Sequence, residues 1–184
     1  MAELRTRLRQ ATAALHEQVD TAYSGFALVQ PDDYRRFLRA HARVLSATEI
    51  ALEQAGVAEL LDDWPMRARR HALLADLAEL GCPAPAPLQA PRINDIASCW
   101  GAVYVLEGSR LGGRVLARRI RLGDPTAPVR FLEHGDVARL WPAFLTRLEQ
   151  AAPDCAWAPM LAAAEATFGL FAAAATVERD YDYS

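Results

Sequence analysis

The chain has 184 residues, a formal net charge of −3, 52% hydrophobic residues and 23% charged residues. Domains usually run to roughly 100–200 residues, so one domain spanning 1–184 with a sizeable core is expected. So apolar and mildly acidic a composition excludes a disordered chain, and it excludes a general nucleic-acid binder, which would need a basic surplus to neutralise phosphates.

Between its proline and glycine punctuation nearly every stretch carries a helical period, and convincing two-residue alternation is absent, which predicts an all-α fold. Residues 2–22 place Leu4, Leu8, Ala11, Leu15 and Val19 at steps of three and four, the stripe of an amphipathic helix that ends before Gly25. Pro31 with Asp32 and Asp33 opens a second helix, because proline fits the first turn and acids suit its positive end. It runs to about Gly56, a left-handed stop. A third helix is predicted from Trp64 and Pro65 to Gly81. Pro83, Pro85, Pro87 and Pro91 then make the segment from Cys82 to Pro91 an extended connector. Asn94 is placed as the cap of a fourth helix through Ile96, Trp100, Val103 and Tyr104, which Gly108, Gly112 and Gly113 interrupt before its end near Arg121. A turn over Gly123–Pro128 and helices near 136–151 and 157–180 complete the chain.

No uninterrupted apolar run approaches the roughly 20 residues of a membrane span. Glu3, Arg5, Arg7 and Arg9 near the start leave no visible signal peptide. The three cysteines, Cys82, Cys99 and Cys155, are far apart and fit a reduced compartment better than a disulfide framework. A soluble cytoplasmic protein, with neither membrane nor nucleic acid as partner, is therefore expected.

Several chemistries are excluded by spacing. No Glu stands three residues before a His, and no HExxH, phosphate-binding loop or nucleophile elbow is present. Four histidines remain: His16, His41, His71 and His134. His16 borders the buried stripe of the first helix, where a lone histidine is most often a packing residue. Its neighbours favour a ligand instead. Asp20 at i+4 can accept the second ring N–H, fix the tautomer and strengthen the free nitrogen towards a metal. Arg9, two turns earlier on nearly the same face, is either a solvated surface charge or the partner of an anionic group on whatever His16 binds.

The second constellation is Gly108-Ser109-Arg110-Leu111-Gly112-Gly113. A glycine inside a helix costs about 1 kcal/mol relative to alanine, so three in six residues need a reason. Close helix–helix packing is one; a bent helix that exposes bare backbone to a flat ligand is the other. Tyr104, one turn before Gly108, is a core aromatic or a ligand contact.

The run from Leu8 to His16, LRQATAALH, resembles the proximal-histidine motif of heme oxygenases, and the run from Tyr104 to Leu116, YVLEGSRLGGRVL, resembles their glycine-rich distal helix. The closest likeness is to bacterial members, among them those that supply biliverdin to bacteriophytochromes. The resemblance implies a single-domain helical bundle holding heme between the two helices, with His16 as the iron ligand and Asp20 behind it. It implies Gly108, Ser109 and Gly112 on the oxygen side, and Arg9, Tyr104, Gly113 and Arg139 in heme binding. The reaction implied is cleavage of heme at a meso carbon to biliverdin, carbon monoxide and ferrous iron. Dioxygen is the oxidant, and an external donor such as ferredoxin or a reductase supplies electrons, since no flavin or nicotinamide motif is present. Two departures stand out. Ser109 replaces the aspartate that many animal members carry after the first distal glycine, so proton delivery would rest on ordered water and backbone carbonyls. Pro142 replaces a propionate-binding arginine of the mammalian branch, which leaves Arg139 as its substitute. The rival readings are a non-catalytic heme carrier, for which a crowded glycine face has no use, and a thiamin-salvage type of enzyme with Cys99 as nucleophile.

Overall fold

The computed structural model describes residues 3–180. Ala2, where the first predicted helix begins, lies outside the described residues, as do both ends of the 1–184 span. Among the described residues ten α-helices follow in order: α1 (Glu3–Ala11), α2 (Ala13–Ser24), α3 (Pro31–Gln54), α4 (Val57–Leu60), α5 (Trp64–Arg67), α6 (Arg70–Glu79), α7 (Ile96–Gly108), α8 (Gly113–Gly123), α9 (Val137–Ala151) and α10 (Trp157–Asp180). No strand occurs among the described residues.

The differences from expectation are local and have local causes. The first predicted helix is two, because Thr12 leaves helical angles at φ −102°, ψ 5°. Thr12 Oγ1 donates to the Leu8 carbonyl at 2.8 Å, the threonine back-bond that bends helices. The hydrogen bonds from Thr12 N–H to Leu8 O and from His16 N–H to Thr12 O continue across the bend. Gly56, at φ 84°, ends α3 as expected, but the chain restarts at once as the short α4. The third predicted helix is divided into α5 and α6 by extended Ala68. Asp95 rather than Asn94 caps α7: its carboxylate accepts the Ser98 N–H at 2.7 Å while Ser98 Oγ accepts the Asp95 N–H at 3.1 Å, a reciprocal capping box. The proline-rich connector is an extended strap over α3, held where Arg39 and Arg43 donate to the carbonyls of Pro83 and Ala86, both at 2.9 Å.

α10 is the centre of the molecule and packs against α7, α3 and α2. Its alanines let neighbours approach: Ala164, Ala174 and Ala175 are wholly buried, and Gly101 of α7 lies against the Met160 and Ala164 backbone. Among the described residues it is also the helix long and apolar enough to cross a membrane. Here that apolar length is core, with Phe171 and Met160 buried and Glu178 fully enclosed between Arg39 and Arg43 of α3.

Candidate active site

A cavity of about 790 Å³ opens between the α1–α2 arm and the junction of α7 with α8, within the range of small-molecule sites. His16 of α2 lines it. Its side chain is 64% exposed, so it is not a packed core histidine. Nδ1 lies 3.0 Å from Asp20 Oδ2, which leaves Nε2 as the free nitrogen, and the ring meets the edge of Phe168 at 5.9 Å. Asp20 and Arg9 line the same cavity, and so does Arg5, one turn before Arg9. The two guanidiniums put positive charge on the α1 side.

The opposite wall is built by polar residues that face away from the cavity. Glu107 is buried and takes Arg67 Nη1 at 2.6 Å and Arg110 Nη2 at 2.8 Å. Arg69, equally buried, donates to the Leu106 carbonyl at 2.9 Å and to Ser109 Oγ at 2.6 Å. With Glu107 and Arg110 anchored inward, the chain leaves α7 through i→i−3 bonds at Arg110, Leu111 and Gly113, the tighter 3₁₀ pitch. Gly108 and Gly112, four residues apart, are left on the cavity side.

The two explanations for the glycines are separated by what a Cβ would meet. At Gly112 it meets nothing within 4 Å, and at Gly108 only the far edge of Trp141 at 3.9 Å. At Gly113 it would collide with the Leu132 carbonyl. Gly108 and Gly112 therefore bare backbone to the cavity, whereas Gly113 is a packing glycine and not a cavity residue. Arg139 is also outside: it is exposed on α9, where Nη2 points to Met66 Sδ at 3.9 Å. Tyr104 lines the cavity beside Trp141, their ring centroids 6.4 Å apart. Ser109 lines it too, but its hydroxyl proton goes to the Leu106 carbonyl at 2.7 Å, so it has acceptor capacity only.

Sequence reasoning missed three groups here. His41 of α3 lines the cavity, with Nδ1 2.8 Å from the Phe37 carbonyl. A carbonyl only accepts, so Nδ1 carries the proton and Nε2 is an acceptor. Burial lowers its pKa to about 3, so it is neutral. Tyr23 stands 4.7 Å from His41, ring to ring, and its buried hydroxyl has no hydrogen-bond partner among the described residues; burial and then Glu178 raise its pKa. Arg69, behind Ser109, is pushed down to about 9 by burial and by Arg110. Tyr23 could have been found at i+7 from His16. His41 and Arg69 depend on helix crossings and leave no local signal. Cys99 is buried away from the cavity, and burial pushes its thiol up to about 11, the reverse of an activated nucleophile.

A histidine with one nitrogen held by a carboxylate, facing bare backbone across a largely apolar cavity in a helical bundle, is the construction of a heme-binding protein. The group fits: the wall opposite His16 has open space at Gly112, and the Arg5 and Arg9 guanidiniums in the lining can take the carboxylates of a bound heme. Comparison with known proteins sharpens this. No family model matches the chain. It is 36% identical to the heme oxygenase of Xanthomonas campestris over 147 residues, 78% of this chain and 88% of that protein. It is 29% identical to the heme oxygenase PigA of Pseudomonas aeruginosa over 150 residues, 78% of this chain and 76% of that one. Its fold is similar to the crystal structure of the heme oxygenase of Neisseria meningitidis, at a TM-score of 0.78 and 20% identity over 97% of this chain and 93% of that one. It is similar also to that of Leptospira interrogans, at 0.71 and 20% identity over 96% and 100%. The chain belongs to the heme oxygenase family and is an enzyme that degrades heme. Heme and dioxygen are its substrates, and a reductase supplies its electrons.

Proposed function

We propose that His16 ligates the heme iron through Nε2 and that this chain cleaves heme at a meso carbon to biliverdin, carbon monoxide and ferrous iron. The observation that carries this reading is the Asp20-held His16 facing Gly108 and Gly112 across one cavity. Asp20 accepts the Nδ1 proton, fixing the tautomer that leaves the Nε2 lone pair free and raising its basicity. Arg9 and Arg5 meet the propionates at the polar mouth. Phe37, Phe168, Phe171 and Trp141 exclude bulk water. Heme, when bound, supplies both the iron that activates dioxygen and the carbon that is oxidised. Gly108 and Gly112 leave room there for dioxygen alone, and His41 Nε2 can accept from a proton-carrying water in the cavity. Ser109 acts as an acceptor, with Arg69 behind it. The three free thiols, Cys82, Cys99 and Cys155, support a cytoplasmic setting, and the shared core of α2, α3, α7 and α10 supports one domain over 1–184. A ferredoxin-type donor, and a bacteriophytochrome as acceptor of the product, complete the reading and rest on the sequence resemblance.

Hemin titration tests it. The parent is expected to show a histidine-ligated Soret band that disappears when ascorbate is added, with biliverdin formed. His16→Ala should fold, since an exposed side chain is removed, yet lose that spectrum and the turnover. An alanine variant with unchanged spectrum and turnover would move the ligand to His41, the other cavity histidine. A Soret band that survives reductant in air would make the protein a carrier.

A further inference from the structure

The arm that carries His16 is thinly held. α1 fully buries only Leu8, and α2 buries no side chain to that degree. The first turn of a helix has N–H groups without intrahelical acceptors, and Ala2, just before α1, has no side-chain oxygen to take one. The acceptor comes from the other end of the chain. Glu149, in the last turn of α9, takes the Arg5 N–H on Oε1 at 2.8 Å and the Leu4 N–H on Oε2 at 3.3 Å, across 144 and 145 residues. A carboxylate there also suits the positive end of the helix. Two residues on, the Arg7 guanidinium lies 3.8 Å from the centroid of the Trp157 ring, at the start of α10. One end of α1 is thus clasped from the end of α9 and the beginning of α10.

What the clasp positions follows from the residue it grips. Arg5 is pinned through its own main chain, and its guanidinium lines the cavity, as does that of Arg9 one turn later. Burial raises the Tyr104 pKa, and Thr12, Arg5 and Arg9 oppose that rise, so both guanidiniums act on one hydroxyl at the same end of the cavity. Glu149 spends both oxygens on the main chain and has no arginine within ion-pair distance among the described residues. Arg5 and Arg9 likewise have no carboxylate partner there, which leaves their charge for an anionic ligand.

We propose that Glu149 is a positioning residue for the substrate: by clasping the first turn of α1 it sets Arg5 and Arg9 along the cavity mouth, and so fixes the angle at which heme lies in its plane and the meso carbon presented for cleavage. The inference rests on the heme-degrading reading of the cavity. Glu149 touches no substrate and acts through the two arginines. Its influence stops short of the iron ligand, because Thr12 leaves helical angles between Arg9 and His16 and α2 is held separately, on α10. A shift of α1 therefore reaches the propionates and leaves His16 and Asp20 in place.

The test measures hemin dissociation, by transfer to excess apomyoglobin, and the ratio of biliverdin isomers formed with ascorbate. Glu149→Ala should keep the parent's Soret band, because His16 and Asp20 stand beyond the bend. Its hemin dissociation should be about three- to tenfold faster, as two solvent-screened contacts are loosened, and a second isomer should rise at the expense of the parent's main product. Glu149→Gln, whose amide oxygen can accept one of the two N–H groups, should fall between the two; it carries the same comparison should the alanine variant fail to fold. A mutant cycle separates positioning from stability: in an Arg5→Ala/Arg9→Ala background, Glu149→Ala should add nothing to either readout, even where it lowers Tm. Parent-like dissociation and isomer ratio in the Glu149 variants overturn the proposal, and so does loss of the histidine-ligated band. An effect of equal size in the background without the two arginines also overturns it, since Glu149 would then be a structural cap only. Absence of biliverdin from the parent strikes the heme-degrading reading instead, and the dissociation rates still judge the clasp.

Discussion

Arg9 differs from its neighbours in how little the protein encloses it. It lines the cavity but is exposed and makes no hydrogen bond among the described residues. Its pairing with a propionate is therefore worth the modest amount of a solvent-screened ion pair, about 0.2–1 kcal/mol. Arg9→Ala should weaken hemin binding by a few-fold at most and change the ratio of biliverdin isomers, because the propionates set the angle of the macrocycle in its plane. Chromatography of the products and a hemin titration read the two effects. An unchanged ratio would leave Arg5, one turn away, as the pairing residue. His16 and Asp20 could be read as one face from spacing alone, since α2 carries both, and Arg9 joins them because the backbone hydrogen bonds continue from α1 across Thr12. His41 could not, because nothing within four residues of it refers to heme. Its place beside Tyr23 follows from how α3 crosses α2.

At the scale of the element, the junction of α7 and α8 is a helix with its middle turn tightened and its polar residues anchored on one side. Gly112 and Gly113 are adjacent, and the structure gives them opposite duties. Gly113→Ala drives a methyl into the Leu132 carbonyl and should lower stability by about 1–3 kcal/mol, seen as a fall in Tm with or without hemin. Gly112 has ordinary right-handed angles, φ −89° and ψ −5°, and open space beyond it. Gly112→Ala should melt no lower than the parent, since alanine reduces the entropy of the unfolded chain. It should nevertheless turn heme over poorly, its methyl occupying the space meant for dioxygen. If Gly112→Ala instead loses stability and hemin binding together while the loaded fraction turns over normally, the glycine serves packing. Sequence spacing showed that three glycines in six residues needed a reason but could not apportion them, because the difference lies in what stands within 4 Å of an absent Cβ. The helix boundaries divide the same way. Pro31 and Gly56 mark α3 because their effects are confined to the backbone. The breaks at Thr12 and Ala68 were illegible, since neither residue is a strong breaker.

Across the whole molecule, pH acts through groups that burial holds in one state. His41 is kept neutral, with a folded pKa near 3 against an ordinary value of 6.5. The unfolded chain therefore takes up this proton first as pH falls. Stability from this group is present in full above about 6.5 and is lost progressively towards 3. Thermal melts of the apoprotein between about pH 7 and 4 should show a steeper loss for the parent than for His41→Phe, which cannot take the proton. Parallel profiles would show that His41 is reached by water in the folded state. The central position of α10 has a consequence for biosynthesis. That helix is translated after every other described element, yet Phe168 and Phe171 floor the cavity and Glu178 closes a contact with Arg39 across 139 residues of chain. Until it emerges from the ribosome, the inner faces of α2, α3 and α7 have no partner, and cotranslational assembly from the N-terminus has nothing to complete. A nascent chain stopped before Trp157 should remain protease-sensitive and dependent on chaperones, and heme can be captured only after the ribosome has passed the segment that fills the middle of the protein.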